Sequence, residues 1–419
     1  MKYPNHSARM VGLVVASIAI AIICVTLADS LKSITEHAET FIFNQSKKVP
    51  LVYIILPSVG ITAIYFLRKY VFRGKPNKGI KEIYQCIDSR KNTLPAFKVP
   101  SHYLNGFLTV IFGGSTGIEV STVVATAAVG TMGQRNISLV KHYKTELICA
   151  GVTAGIATIF ASPIAGFFFA VEVIARKNIN RTVLLSSACA ALVSWASLAR
   201  LNSERIVDFT VQSWNAHAIP YFIILSLASS FVAIYFTKTV IYLKKFFGNI
   251  SNNFLRVNSG ALLVGIAILF FPQLYGDSYH AINELLFDSH SQNLNLQLSI
   301  FLLALVFLKP LVAALTLGAG GDGGVFAPSI VAGAVLGILT AMLFNYLFDA
   351  DLIILNFAII GGVAVLSAAI DAPLTSIFLG CSIVNGGYVI FIPVAIGCFI
   401  AKYTAKYFCS YTVYSYKGK

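Results

Sequence analysis

The chain has 419 residues, of which 57% are hydrophobic and 11% charged, with a mean hydropathy of +0.78. A soluble domain carries about 25% charged residues, so a soluble enzyme or binding domain is excluded and the chain reads as an all-α polytopic membrane protein. The formal net charge of +14 raises nucleic-acid binding as a rival. The basic excess, however, falls in short segments between apolar runs, where membrane topology explains it and nucleic acid is not needed as a partner.

Apolar runs that cross, or mostly cross, about 30 Å of hydrocarbon lie near 11–28, 50–67, 105–130, 146–174, 183–199, 219–241, 259–275, 298–318, 324–347, 352–370, 373–384 and 389–408. They do not alternate as barrel strands do. Several are short or broken by Gly and Pro, and irregular backbone at membrane depth must be covered by protein or line a wet cavity. The runs therefore predict a thick bundle of unequal, tilted helices around an internal cavity.

The first run follows Lys2 and Arg9 and ends at Asp29 without a clear small-residue cleavage site, so a retained first helix is expected. Segment 68–98 holds Arg68, Lys69, Arg73, Lys75, Lys78, Lys81, Arg90, Lys91 and Lys98 against Glu82 and Asp88. The positive-inside rule puts it in the cytoplasm. Arg176, Lys177, Arg181, the 238–245 group and 402–419 face the same side, and the connections near 203–218, 276–297 and 349–351 fall outside. A multi-pass protein of a bacterial inner membrane with cytoplasmic termini is the expectation.

The seven cysteines, Cys24, Cys86, Cys149, Cys189, Cys381, Cys398 and Cys409, are scattered and the seven histidines dispersed. That spacing indicates neither a disulfide framework nor a zinc site. No nucleophile–base arrangement, Walker loop or dinucleotide fingerprint is present. No enzyme activity, cofactor or metal is expected.

Gly113-Gly114-Ser115-Thr116-Gly117-Ile118-Glu119 and Gly320-Gly321-Asp322-Gly323-Gly324-Val325-Phe326 lie 207 residues apart, and each runs into a small-residue apolar helix. Extending the register without gaps aligns Val124, Ala125, Ala127 and Gly130 with Val331, Ala332, Ala334 and Gly337, giving seven identities in eighteen positions. A second anchor pairs Ser162-Pro163 with Ala372-Pro373, the prolines 210 residues apart. The chain reads as one membrane module over 1–419, duplicated as halves of about 1–240 and 241–419. An odd number of crossings between anchors puts the halves in opposite orientations. Glycine-interrupted apolar segments at corresponding places in two halves point to a substrate site near the bilayer midplane.

The order Gly79-Ile80-Lys81-Glu82, Gly117-Ile118-Glu119, Ser162-Pro163 through Phe169-Ala170-Val171-Glu172-Val173, Gly324-Val325-Phe326-Ala327-Pro328, Ala372-Pro373-Leu374-Thr375 and Tyr414-Ser415 resembles the CLC chloride channels and proton/chloride exchangers over nearly the whole chain. The resemblance implies a homodimer with one anion pathway per subunit, each lined by two inverted halves. The physics is consistent with it. Helix N-termini carry free N–H groups and about half a positive charge, so breaks leading into helices at 79–83, 118–130 and 325–337 can surround a chloride without a full counter-charge. Gly130 and Gly337, well inside their helices, instead read as close-packing residues.

A carboxylate inside a membrane segment is functional by default, and the resemblance makes Glu119 the external gate. Ionised, it occupies an anion position; protonated, it swings out. The competing role is a cap on its own helix. The resemblance also assigns the amides of Ile118, Glu119, Val325 and Phe326, the Gly79–Ile80 turn and the Tyr414 hydroxyl to the anion. Tyr411 and Tyr416 compete for the tyrosine's role, and the Phe326 ring has packing as its alternative.

Three departures from the family pattern stand out. Ile118, Val120 and Ser121 replace the usual frame of the gate. Lys78 stands where a hydroxyl contacts the anion, either deepening the anion well or reaching into the cytoplasmic vestibule. Val173 replaces the carboxylate that loads protons from inside, as in the channel members, while Glu172 reads as a structural acceptor of local backbone bonds. The leading expectation is chloride passage that is channel-like or weakly proton-coupled. The alternatives are an obligatory proton/chloride antiporter using another proton route and, from a different class, a lipid-acting membrane enzyme, for which no polar catalytic cluster is visible.

Overall fold

The computed structural model describes residues 6–75, 77–89, 92–201, 205–291 and 294–416. Lys2, Arg90, Lys91, Lys417 and Lys419, part of the basic excess, lie outside them. In chain order the helices are α1 (His6–Lys47), α2 (Val52–Phe66), α3 (Ile80–Asp88), α4 (Lys98–Ile111), α5 (Glu119–Asn136), α6 (Lys144–Ile159), α7 (Pro163–Phe169) and α8 (Arg181–Leu201). The second set is α9 (Ile219–Gly248), α10 (Asn253–Phe270), α11 (Tyr279–Ser291), α12 (Leu296–Ala319), α13 (Phe326–Phe348), α14 (Ile354–Ile370), α15 (Pro373–Ser382) and α16 (Phe391–Phe408). Among the described residues, eight helical stretches are long and apolar enough to cross a membrane. A short parallel pair, β1 (Val207–Thr210) with β2 (Val384–Asn385), is the small addition to an otherwise helical chain.

The apolar runs map onto these helices with three instructive differences. The run at 105–130 is broken at 112–118, where Gly113 adopts a φ of 80°, so it becomes α4 and α5. The run at 146–174 breaks at Ala161, whose φ is 49°; Ser162 then caps α7 by accepting from the Ala165 amide at 3.3 Å, and Pro163 occupies the first turn, where its missing N–H costs nothing. The first helix does not stop at Asp29 but continues to Lys47. One face of its polar second half packs on protein, enclosing Thr35, Glu39 and Ser46.

The duplication is visible in the packing. Gly130 of α5 lies directly on the Leu147 carbonyl of α6, and Gly337 of α13 on the Phe357 carbonyl of α14; any Cβ at either place would overlap that backbone. Both are close-packing glycines. Gly113 and Gly320 share a positive φ, 80° and 115°, as do Ala161 and Asp371, 49° and 55°.

The two glycine loops also bond each other reciprocally. The Ser115 amide donates to the Thr316 hydroxyl at 3.1 Å, and the Asp322 amide donates to the Thr109 hydroxyl at 2.9 Å. Each donor and each threonine is 207 residues from its counterpart, the relation a local two-fold axis produces. Lipid offers no partner to a broken helix, so the threonine of each half supplies it to the other. Thr316→Val leaves the Ser115 N–H buried without an acceptor, a cost of about 1–3 kcal/mol. The thermal midpoint in detergent should fall for Thr316→Val and similarly for Thr109→Val; unchanged midpoints in both would show the reciprocal bonds to be dispensable.

Candidate functional site

Three helix N-termini meet around Val120. The turn into α3 has Gly79 at φ 62° and ψ −142°, a conformation side-chain-bearing residues avoid, and a Cβ there would sit 3.6 Å from a Val120 methyl. Gly324, just before α13, packs on the Val120 side chain, and a Cβ on it would be 3.5 Å from the Tyr414 hydroxyl. The Thr116 hydroxyl fixes the α5 loop to the α13 loop, donating to the Gly324 carbonyl at 2.9 Å and lying 3.0 Å from the Gly324 amide.

Glu119 is the first residue of α5 and is buried. Its carboxylate folds back over Gly117, where a Cβ would overlap both oxygens, and its own amide points at it. Oε1 accepts from the Tyr279 hydroxyl at 2.8 Å, while Oε2 is enclosed without a partner. The carboxylate lies at the N-terminus of its own helix, where an anion is stabilised.

The remaining sequence-predicted residues are placed as follows. The Ile118 and Val325 amides have no backbone acceptor. Val325 N–H faces the Tyr414 hydroxyl without reaching hydrogen-bond geometry, and that hydroxyl is enclosed without a partner. Tyr411 and Tyr416 pair with each other, ring centroids 5.2 Å apart, so Tyr414 is the tyrosine that projects inward. Lys81 anchors this terminal segment by donating to the Tyr416 carbonyl at 2.8 Å. Phe326 begins α13, and its ring packs on Phe169 at 5.4 Å and Phe160 at 6.2 Å.

Lys78 is exposed and lines a cavity of about 1100 Å³ shared with Gly79, Val120, Lys244, Gly323 and Tyr414. The basic residues around this cavity mark it as the vestibule on the positive face. Val173 is buried in the apolar core within a wide π-turn segment, Ala170–Ala175. Its neighbour Glu172 accepts from the Leu374 amide at 3.1 Å, the Thr375 amide at 2.7 Å and the Thr375 hydroxyl at 2.8 Å. It caps α15, about 200 residues away, and not local backbone as the sequence suggested.

Two charged centres flank the loops, and sequence reasoning missed both. Lys309 of α12 is 1% exposed, and its ammonium donates to Ser115 Oγ at 2.9 Å, Ser278 Oγ at 2.7 Å and the Gly276 carbonyl at 2.9 Å. Asp322 lies 3.2 Å from Asn77 Nδ2, 3.0 Å from His102 Nδ1 and 3.7 Å from Arg68. Lys309 was discoverable, because an ionisable residue inside an apolar run is a functional candidate.

Beyond Lys309 lies a second open cavity, of about 410 Å³, lined by Glu36, Glu39, Asp277, Tyr279, His280 and Glu284 among others. Helix α10 starts at the first cavity, with Asn253 and Arg256 in its wall, and its 18 residues climb about 27 Å toward the turn that lines the second. Glu39, Asp277 and His280 bring their ligand atoms within 4.8 Å of one another, the one group among the described residues with a metal-type donor set. The sequence had suggested no such cluster.

Helix N-termini converging between two cavities, with the buried Glu119 carboxylate at the start of α5, fit an anion-transporting membrane protein built as an inverted repeat. The voltage gated chloride channel family model matches residues 59–406, so the chain belongs to the CLC family and performs CLC-type chloride transport. It is 27% identical over 377 residues to the H(+)/Cl(-) exchange transporter ClcA of Vibrio parahaemolyticus, covering 84% of this chain and 76% of that protein. It is 26% identical over 313 residues to the voltage-gated ClC-type chloride channel ClcB of Shigella flexneri, covering 72% of this chain and 71% of that protein. In fold it is similar to a CLC-type fluoride/proton antiporter (TM-score 0.79, 23% identity, 98% of both chains). It is likewise similar to a slow cyanobacterial Cl-/H+ antiporter (TM-score 0.82, 21% identity, 99% of this chain and 97% of that one).

Because Lys78 is exposed on the wide basic cavity, Lys78→Ser should leave equilibrium chloride binding by calorimetry essentially unchanged. It should weaken the dependence of flux on ionic strength, since exposed charges act through a screened field. A loss of affinity of about tenfold would instead put the ammonium on the bound anion.

Proposed function

We propose that this chain is a proton/chloride antiporter in which Glu119 is both the gate and the proton carrier. The observation that carries the reading is the enclosed Glu119 carboxylate at the N-terminus of α5, where a carboxylate and a chloride compete for the same amides. Relatives named as exchangers support obligatory exchange better than the channel-like passage that Val173 suggested. Val173 has no titratable group, so protons reach Glu119 by water or by another side chain.

In this reading chloride enters the vestibule, drawn by its lysines and arginines, and is held between the amides at the starts of α5 and α13 and the Tyr414 hydroxyl. No fixed cation touches it, so it is bound loosely enough to leave. Protonation removes the competing negative charge, and the gate carboxyl yields its position to the anion. The protein works as a homodimer with a pathway in each subunit, in a bacterial inner membrane with the basic cavity on the cytoplasmic side; light scattering of the detergent-solubilised protein checks the subunit number.

Liposomes with separately set chloride and proton gradients test the mechanism. The reversal potential should follow a fixed chloride-to-proton ratio, and Glu119→Ala should abolish proton movement and pH dependence while chloride still passes. A wild-type reversal potential set by chloride alone would return the chain to the channel-like class. Wild-type pH dependence in a well-folded Glu119→Ala protein would remove the gate assignment.

A further inference from the structure

The gate carboxylate is held by a residue that lies 160 positions further along the chain. Tyr279 opens α11, and its hydroxyl donates to Glu119 Oε1 at 2.8 Å. The turn that carries it is fastened at three points. The Tyr279 amide donates to Asp277 Oδ1 at 2.9 Å, the Asp277 amide donates to Glu39 Oε1 of α1 at 3.3 Å, and Lys309 holds both the Gly276 carbonyl and the Ser278 hydroxyl. The same ammonium also holds Ser115 of the gate loop. Lys309 thus keeps the tyrosine's turn and the glutamate's loop in fixed relation, which makes a specific O–H to carboxylate bond possible between two separate elements.

Tyr279 also lines the second cavity, so it stands between that cavity and Glu119. Resting on the reading of Glu119 as the gate, we propose that Tyr279 is its positioning residue: the hydroxyl holds the ionised carboxylate in the anion-blocking pose, and breaking this bond is the step that frees the pathway toward the second cavity. A tyrosine hydroxyl donates well to a carboxylate, and charge-assisted bonds are about twice as strong as neutral ones. A protonated carboxyl is a poorer acceptor, so protonation weakens the latch and releases the gate in one event. The other ionisable groups facing Glu119 are Asp277 from the turn, Lys309 from α12 and Tyr414 from the terminal segment, with Glu39 of α1 and His280 of α11 beyond Asp277. None of them donates a side-chain hydrogen bond to the Glu119 carboxylate, whose second oxygen has no partner.

Tyr279→Phe keeps the ring and removes the donor. In liposome flux assays its half-maximal pH should move upward by about one unit, a tenfold change in proton concentration, because the ionised gate has lost a stabilising bond. The apparent chloride affinity above that pH should rise as the anion meets a weaker competitor. In a Glu119→Gln background the same substitution should add no further shift, since Gln does not titrate, and a double-mutant cycle would read this as coupling. A folded Tyr279→Phe protein with the wild-type midpoint, while Glu119→Gln has lost its pH dependence, overturns the latch and leaves the gate intact. A Glu119→Gln protein that keeps the wild-type pH profile overturns the gate reading and the latch with it.

Discussion

Two broken helices in one membrane create a problem that one alone cannot solve. Each glycine loop carries amides that neither lipid nor its own helix can satisfy, and the protein answers by pairing the breaks. The Thr109 hydroxyl serves the loop at 320–324 and the Thr316 hydroxyl serves the loop at 113–117. Because the same groups that satisfy the loops also hold them together, the N-termini of α5 and α13 are brought to one place by necessity. The anion site proposed there would be a by-product of satisfying backbone at membrane depth.

The duplication has diverged where function requires asymmetry. Position 102 corresponds to 309 and position 115 to 322, and in both halves a basic side chain faces the loop residue. On the vestibule side the pair is His102 with Asp322, 3.0 Å apart; on the other it is Lys309 with Ser115, 2.9 Å apart. The first pair places a carboxylate among Arg68, Asn77 and His102. The second places the Lys309 amine beside a neutral serine, with its acidic neighbours, Glu39, Asp277 and Glu119, on other elements. A symmetric scaffold thereby acquires one end that holds its own charge balance and one that interacts with Glu119.

Much of this was legible in the sequence because glycine spacing survives duplication. The pairs Gly113/Gly320 and Gly130/Gly337 were readable at a constant offset, and the burial of Glu119 followed from its place between a glycine loop and an apolar helix. Contacts between distant elements left no such trace. Tyr279 falls in a segment that composition marked as an outer loop, yet Asp277 and Lys309 organise that segment into the start of α11. The long extension of α1 was hidden because its polar residues read as an exit from the membrane, whereas Glu39 faces Asp277 and the Tyr53 hydroxyl reaches the Phe43 carbonyl at 3.3 Å. Glu172 was read as binding nearby backbone because sequence shows only neighbours in the chain, and its partner helix begins at Pro373.

The engagement of the cations around the pathway explains how an anion can be attracted without being trapped. Lys309 spends its three donors on two hydroxyls and a carbonyl, Arg68 donates to the Gly320 carbonyl at 2.9 Å, and Lys98 pairs with Glu82 at 2.7 Å. A direct ion pair between any of these and chloride would require breaking bonds already made in a poorly solvated setting, where an abandoned partner is costly. Their fields still act over several ångströms, so they favour negative charge in the constriction without contacting it. In the proposed mechanism contact is left to amides and the Tyr414 hydroxyl, whose partial charges are small enough that Glu119, a full negative charge tethered at the same helix end, is a competitive occupant.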